Sequence, residues 1–163
     1  MSASLTAGWE NFFVAEVGAA AGLSGLLFVA VSINLKRILE ISPLPARAAE
    51  TLVLLGGVLA VATCGLVPGQ SNVTFGVEVA ATGAAVWTWT VVAQIRAYQF
   101  VEHRKWLGQR VFFSQIAAAP FLVGGVLVAA GHETGMYWLV PGVLASFGSG
   151  LMNAWVLLVE ILR

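Results

Sequence analysis

The chain has 163 residues, 59% of them hydrophobic and only 10% charged, whereas soluble domains carry about 25% charged residues. Its net charge is zero, from eight Lys plus Arg against eight Glu and no Asp, so the basic stripe that phosphate contacts require is missing and nucleic acid is excluded as a partner. With so little charge to cover the outside of a fold this size, the outer surface is expected to face lipid, which predicts one polytopic membrane domain over 1–163 with membrane lipids around it.

The first apolar segment, NFFVAEVGAAAGLSGLLFVAVSIN, runs from Asn11 to Asn34. The ten residues before it, MSASLTAGWE, carry no Lys or Arg, unlike a cleaved secretory signal, and the segment is expected to be retained. It predicts a helix over about 11–35. On such a helix Asn11, Ala15, Gly18, Gly22, Gly25, Val29 and Ser32 fall at alternating spacings of four and three, so one seam consists almost entirely of small residues. Glu16 lies beside that seam, and Asn34 lies at nearly the same azimuth as Glu16.

Pro43 and Pro45 are expected to break the chain before a second helix over about 48–67. That helix carries Glu50 near one end and Cys64, the single cysteine, which excludes an intrachain disulfide and reads as a small packing residue. Pro68-Gly69-Gln70-Ser71-Asn72 is a turn signal leading into a third helix over about 74–96. There Glu78, Thr82, Ala85, Trp89, Val92 and Arg96 share one face, with an anion at one end and a cation at the other. Trp87 and Trp89 read as core packing or as lipid-facing bulk.

The stretch 99–110, with several cations, reads either as an interfacial helix or as a solvated loop. A fourth helix over about 111–131 contains Gln115 and Pro120, and Gly131-His132-Glu133-Thr134-Gly135 separates it from a fifth over about 136–162. In the last helix Gly142, Ser146, Ser149, Asn153, Val156 and Glu160 share a face.

A bilayer span needs about 20 apolar residues, so the fold class expected is an all-α transmembrane bundle of five spanning helices. A four-helix count, with one segment re-entrant or lying flat, is the alternative. All eight cations fall on one side of the five-helix arrangement, which puts the N-terminus outside and the C-terminus in the cytoplasm of a multi-pass protein of the plasma or bacterial inner membrane. Trp9, Phe12, Phe13, Tyr137 and Trp138 at the outer boundary, and Tyr98, Phe100 and Trp106 at the inner one, fit interfacial aromatic belts.

Small and hydroxyl residues at helical spacing mean close helix packing, which assigns Gly18, Gly22, Gly25, Gly142, Ser146 and Ser149 to helix contacts and predicts self-association. An ionisable residue at the centre of a spanning helix costs about 2.5–3.5 kcal/mol on insertion scales, so each needs a reason. The carboxylates read either as groups reaching headgroups and helix termini, or as parts of a polar path. In the second reading Glu16 and Glu78 stand at an outer mouth, with Arg96, Asn153 and Glu160 along the inner part.

Only two histidines are present, His103 and His132, both in connections, so no metal site, haem or other cofactor is expected. Serine nucleophiles have no intramembrane histidine to activate them, and an enzyme is not expected. Functionally the chain reads as an oligomeric channel or transporter for cations or protons. The alternatives are a non-catalytic membrane-embedded assembly or regulatory subunit that binds the helices of a membrane-protein partner, and a binder of lipid or hydrophobic small molecules.

Overall fold

The computed structural model describes residues 5–41, 43–98 and 104–162. These residues form six helices and no strand: α1 (Glu10–Ile33), α2 (Leu35–Glu40), α3 (Pro43–Gly65), α4 (Asn72–Tyr98), α5 (Arg104–Ala129) and α6 (Thr134–Leu162). Three of them are long and apolar enough to cross a membrane, over Glu10–Ile33, Leu44–Gly65 and Asn72–Arg96, and α5 contains a shorter apolar stretch, Ser114–Ala129. Large apolar side chains are exposed over the outside, among them Leu26 on α1, Ile95 on α4, Val126 on α5 and Leu144 on α6.

Helix boundaries differ from the expected ones where local chemistry overrides the breaker signals. Pro43 and Pro45 do not precede α3 but open it, since the first turn of a helix has N–H groups without intrahelical partners and proline gives up nothing there. The chain after Ile33 bends at Asn34, whose side-chain amide donates to the Ala30 carbonyl at 3.0 Å, and resumes as the short α2. At the other end of the hairpin Ser71 caps α4, its hydroxyl accepting from the Thr74 N–H at 3.1 Å. Helix α5 ends in a Schellman motif: His132 N–H reaches the Leu127 carbonyl at 2.9 Å and Gly131 N–H the Val128 carbonyl at 2.9 Å. Gly131 takes the left-handed conformation this needs, with φ of +82°. Helix α5 also starts earlier than expected, so the 104–110 part of the basic connection is helical, while 99–103 lies outside the described residues.

The bundle is built from helices α3 to α6, with α4 and α5 in the most extensive contact and α1 laid mainly along α3. Glycines allow the α4–α5 approach: a Cβ on Gly76 would overlap the Ala129 backbone, one on Gly125 would overlap that of Ala80, and one on Gly83 would lie 2.8 Å from the Leu122 nitrogen. Helix α1 docks differently. Its buried residues are Phe13, Ala20 and Leu27, one line at heptad spacing, and Phe13 fills the space left by Gly65 on α3. The main core joins Phe13 and Ala20 to Val58, Val61, Phe75, Phe121, Met136 and Leu139, while Leu27 packs in a smaller cluster with Ile38, Leu44 and Ala48.

Candidate functional site

Among the described residues six polar side chains are buried: Glu50 and Thr51 on α3, Thr90 and Gln94 on α4, Ser114 on α5 and Ser146 on α6. Two of them turn back on their own helix, Thr51 donating to the Arg47 carbonyl at 2.9 Å and Thr90 to the Trp87 carbonyl at 2.9 Å, which satisfies a hydroxyl without linking helices. Glu50, Gln94 and Ser114 connect helices. The Ser114 hydroxyl donates to the Val111 carbonyl at 3.1 Å and accepts from the Gln94 Nε2 group. The same nitrogen lies 3.5 Å from Glu50 Oε1, the outer limit of a hydrogen bond. Since the hydroxyl has committed its one hydrogen to Val111, it can only accept from Gln94, and this turns the amide NH2 toward both Ser114 and the carboxylate.

The node therefore ties α3, α4 and α5 together through a carboxylate that is 2% exposed. Burying such a group is costly unless it is hydrogen-bonded, and each bond to a charged group is worth about 1.5–3 kcal/mol. Its position follows from the hairpin. Glu50 and Gln94 are equidistant in sequence from Asn72, where the turn ends, so antiparallel pairing puts them opposite each other. Gly57, one heptad beyond Glu50, keeps the two helices close, because a Cβ there would fall 2.7 Å from Val86 Cγ2.

The residues expected to form a path are dispersed. Glu16 is half-buried, with one carboxylate oxygen, Oε2, buried and without a hydrogen-bond partner. Glu78, also half-buried, accepts from Gln70 Nε2 at 2.5 Å, and the Cys64 thiol reaches the same carboxylate. On α4 the face that begins at Glu78 turns away from the bundle: Ala85, Trp89, Val92 and Arg96 are exposed. On α6 the corresponding face turns inward. Gly142 is buried against Phe121, at 3.1 Å from an added Cβ, Ser146 is buried, and Ser149 and Asn153 are half-buried. The hydroxyls of Ser146 and Ser149 have no hydrogen-bond partner. Glu160 falls within α6, but its side chain lies outside the described residues.

Of the residues assigned to helix contacts, Gly18, Gly22 and Gly25 are exposed, and a Cβ on any of them would meet nothing within 4 Å. The rest of their seam, Asn11, Ala15, Val29 and Ser32, is exposed too. Within the chain this seam faces outward. Trp87 and Trp89 also face outward, and the Trp87 indole N–H donates to Gln115 Oε1 at 2.5 Å.

In the sequence Gln94 and Ser114 do not stand out, and Glu50 is expected near a helix end. The signal that would have found them is hairpin register: folding the second and third helices about Asn72 puts a carboxylate opposite an amide inside apolar segments. No group of three or more His, Cys, Asp or Glu side chains suited to a metal ion occurs among the described residues. No protein-family model, curated protein or solved structure matches the chain.

Proposed function

We propose that the protein is a multi-pass integral membrane protein of five spans, α1, α3, α4, α5 and α6, with its N-terminus outside and its C-terminus in the cytoplasm, and that it carries cations or protons across the plasma or bacterial inner membrane. The observation that supports transport is the buried Glu50 carboxylate on α3, which accepts from Gln94 of α4, an amide that also donates to Ser114 of α5. An ionisable group inside a spanning bundle is retained at a cost of several kcal/mol on the larger estimates, and such groups mark ion pathways and proton relays. Glu50 is the group that takes up and releases the ion. In this reading Glu16 and Glu78 stand at the outer mouth, and Ser146, Ser149 and Asn153 lie along the inward face of α6. Arg96, exposed on the outside of α4, is not part of the route.

The test is reconstitution. Liposomes containing the protein, subjected to a membrane potential of either sign, are expected to show cation or proton flux above empty liposomes, reduced at least tenfold by Glu50→Gln. Flux equal to that of empty liposomes would reject the proposal. The five-span topology has its own check, since reporters fused after Gln70 and after Lys105 are expected on opposite sides of the membrane.

A second reading is favoured by the uncovered seam of α1. A face of Gly, Ala and Ser that meets no other helix of its own chain suits the helix of a membrane-protein partner, because small residues let backbones approach closely. It makes the protein an assembly or regulatory subunit. Co-purification of a partner that Gly22→Leu releases, together with no effect of Glu50→Gln on any flux, would favour this reading over transport.

A further inference from the structure

Resting on the reading of α5 as a spanning helix, we infer that two copies of this chain associate through the outward side of α5, with the Gln115 amides of the two copies hydrogen-bonded to each other. On that side Ile116, Ala119, Val123 and Val126 are all exposed. They follow one another at spacings of three, four and three, the repeat by which two helices interdigitate along a seam. The opposite side of the helix is taken up within the chain, since Phe121 and Gly125 pack on α4 and Gly124 packs on α6. An apolar seam alone would be covered by lipid as readily as by protein, and Gln115 decides between them.

Gln115 stands beside the seam, one residue before Ile116. Its Oε1 accepts from the Trp87 indole N–H of α4 at 2.5 Å, which holds the amide in place. Among the described residues nothing accepts from its Nε2 group, and Oε1 keeps a second lone pair. Depth removes the ordinary remedies. Helices α4 and α5 run antiparallel, Gly76 packing against Ala129 and Gly83 against Leu122, and this register sets Gln115 level with Thr90. Six residues, or about 9 Å of helix, separate Thr90 from Arg96 at the inner end of the α4 span. Hydrocarbon at that depth supplies no acceptor, and an amide N–H left without one is costly.

A second Gln115 meets this need. A primary amide carries a donor and an acceptor side by side, so two amides related by a two-fold axis each donate to the other's oxygen. The Trp87 bond persists in both copies, because each Oε1 accepts once from the indole and once from the facing amide. A lipid or an unrelated helix would have to bring an acceptor to this depth. A second copy, set parallel to the first, carries one there already. Helix α1 lies mainly along α3, so its small-residue face is separate from this seam.

The experiment is disulfide cross-linking of the full chain in phosphatidylcholine liposomes at low protein density, in a Cys64→Ala background so that the introduced cysteine is the only one. Ala119→Cys is expected to give a covalent dimer on oxidation with copper phenanthroline, whereas Leu144→Cys, exposed on α6, and Gly22→Cys on α1 are expected to stay monomeric. Energy transfer between labelled copies gives the association constant, which Gln115→Leu is expected to lower at least about fivefold through the loss of two hydrogen bonds between spanning helices. Since Gln115→Leu also removes the acceptor of Trp87, Ala119→Phe is the second variant: it keeps both side chains, crowds the seam, and is expected to weaken association as well. No cross-link at Ala119, a cross-link at Gly22 in its place, or an association constant that neither variant changes would overturn the inference. So would a monomer that retains phospholipid in native mass spectrometry and loses it in Gln115→Leu. Reporters fused after Lys105 and after His132 and found on one side of the membrane would reject the spanning reading and the inference together, whereas a missing cross-link with the reporters on opposite sides rejects the interface alone.

Discussion

Helices α1 and α4 carry the same small-residue spacing with opposite outcomes. Gly18, Gly22 and Gly25 on α1 repeat at four and three, as do Gly76, Ala80 and Gly83 on α4. The α4 face is filled by the backbone of α5, so closely that a Cβ on Gly76 would lie 2.7 Å from the Gly125 carbonyl oxygen. The α1 face meets nothing within 4 Å. The difference lies in the opposing helix. Helix α5 offers Gly125 and Ala129, themselves small, and two small faces can close on each other. Helix α1 instead meets α3 through an aromatic ring set into a glycine, Phe13 into Gly65, and that contact holds its small face on the far side. A periodic small face therefore marks where a helix can be approached closely, while the residues across from it decide whether its own chain does so.

The contrast is broken most forcefully at the aromatic contact. Phe13 is fully buried and meets Phe75 edge-on with ring centroids 5.7 Å apart. Phe13→Ala is expected to lower stability by about 3–5 kcal/mol, as large-to-small changes of core aromatics do. Denaturant titration in detergent, followed by tryptophan fluorescence, measures this, and a loss below about 1 kcal/mol would mean that α1 is held by something other than this line.

A smaller effect is expected at the α4–α5 contact. Gly125→Val adds atoms where even a Cβ overlaps the Ala80 backbone, and overpacking typically costs about 1–3 kcal/mol. The same titration checks it. An unchanged midpoint would show that α4 and α5 do not approach as closely as described.

Much of this architecture was legible in the sequence. The turn signals from Pro68 to Asn72 and from Gly131 to Gly135 separated α3 from α4 and α5 from α6, because turn chemistry is local and the residues that write it are adjacent in the chain. The prolines at 43 and 45 misled by five residues, since proline ends a helix from inside it but opens one from its first turn. The candidate site was less legible. Glu50, Gln94 and Ser114 lie on three helices, and each alone is an unremarkable polar residue in an apolar segment. The register of the hairpin, a non-local quantity, brings Glu50 and Gln94 together, and the packing of α5 on α4 adds Ser114. The direction of a helix face was the least legible of all: of the faces of α4 and α6 that look alike as strings, the part from Ala85 to Arg96 turns outward and the part from Gly142 to Asn153 turns inward. Helical periodicity gives the azimuth of residues relative to one another and leaves the rotation of the helix against its neighbours to be set by packing.

The smallest expected effect is the most discriminating. Gly22 is exposed in the middle of the α1 seam, so Gly22→Leu adds a large side chain where no atom of the chain stands in its way. Leucine also favours a helix interior over glycine, by roughly 0.5–1 kcal/mol. The unfolding midpoint of the isolated chain in detergent is therefore expected to be unchanged or to rise by no more than about 1 kcal/mol, in contrast to the loss at Gly125, although both substitutions enlarge a glycine in a small-residue repeat. A loss of 1 kcal/mol or more at Gly22 would mean that the seam is covered by the chain itself, and the comparison between α1 and α4 would collapse. An unchanged midpoint accompanied by a smaller particle on size-exclusion chromatography in mild detergent would instead show that the seam is used between chains, because a leucine there holds apart helices that glycine would let meet.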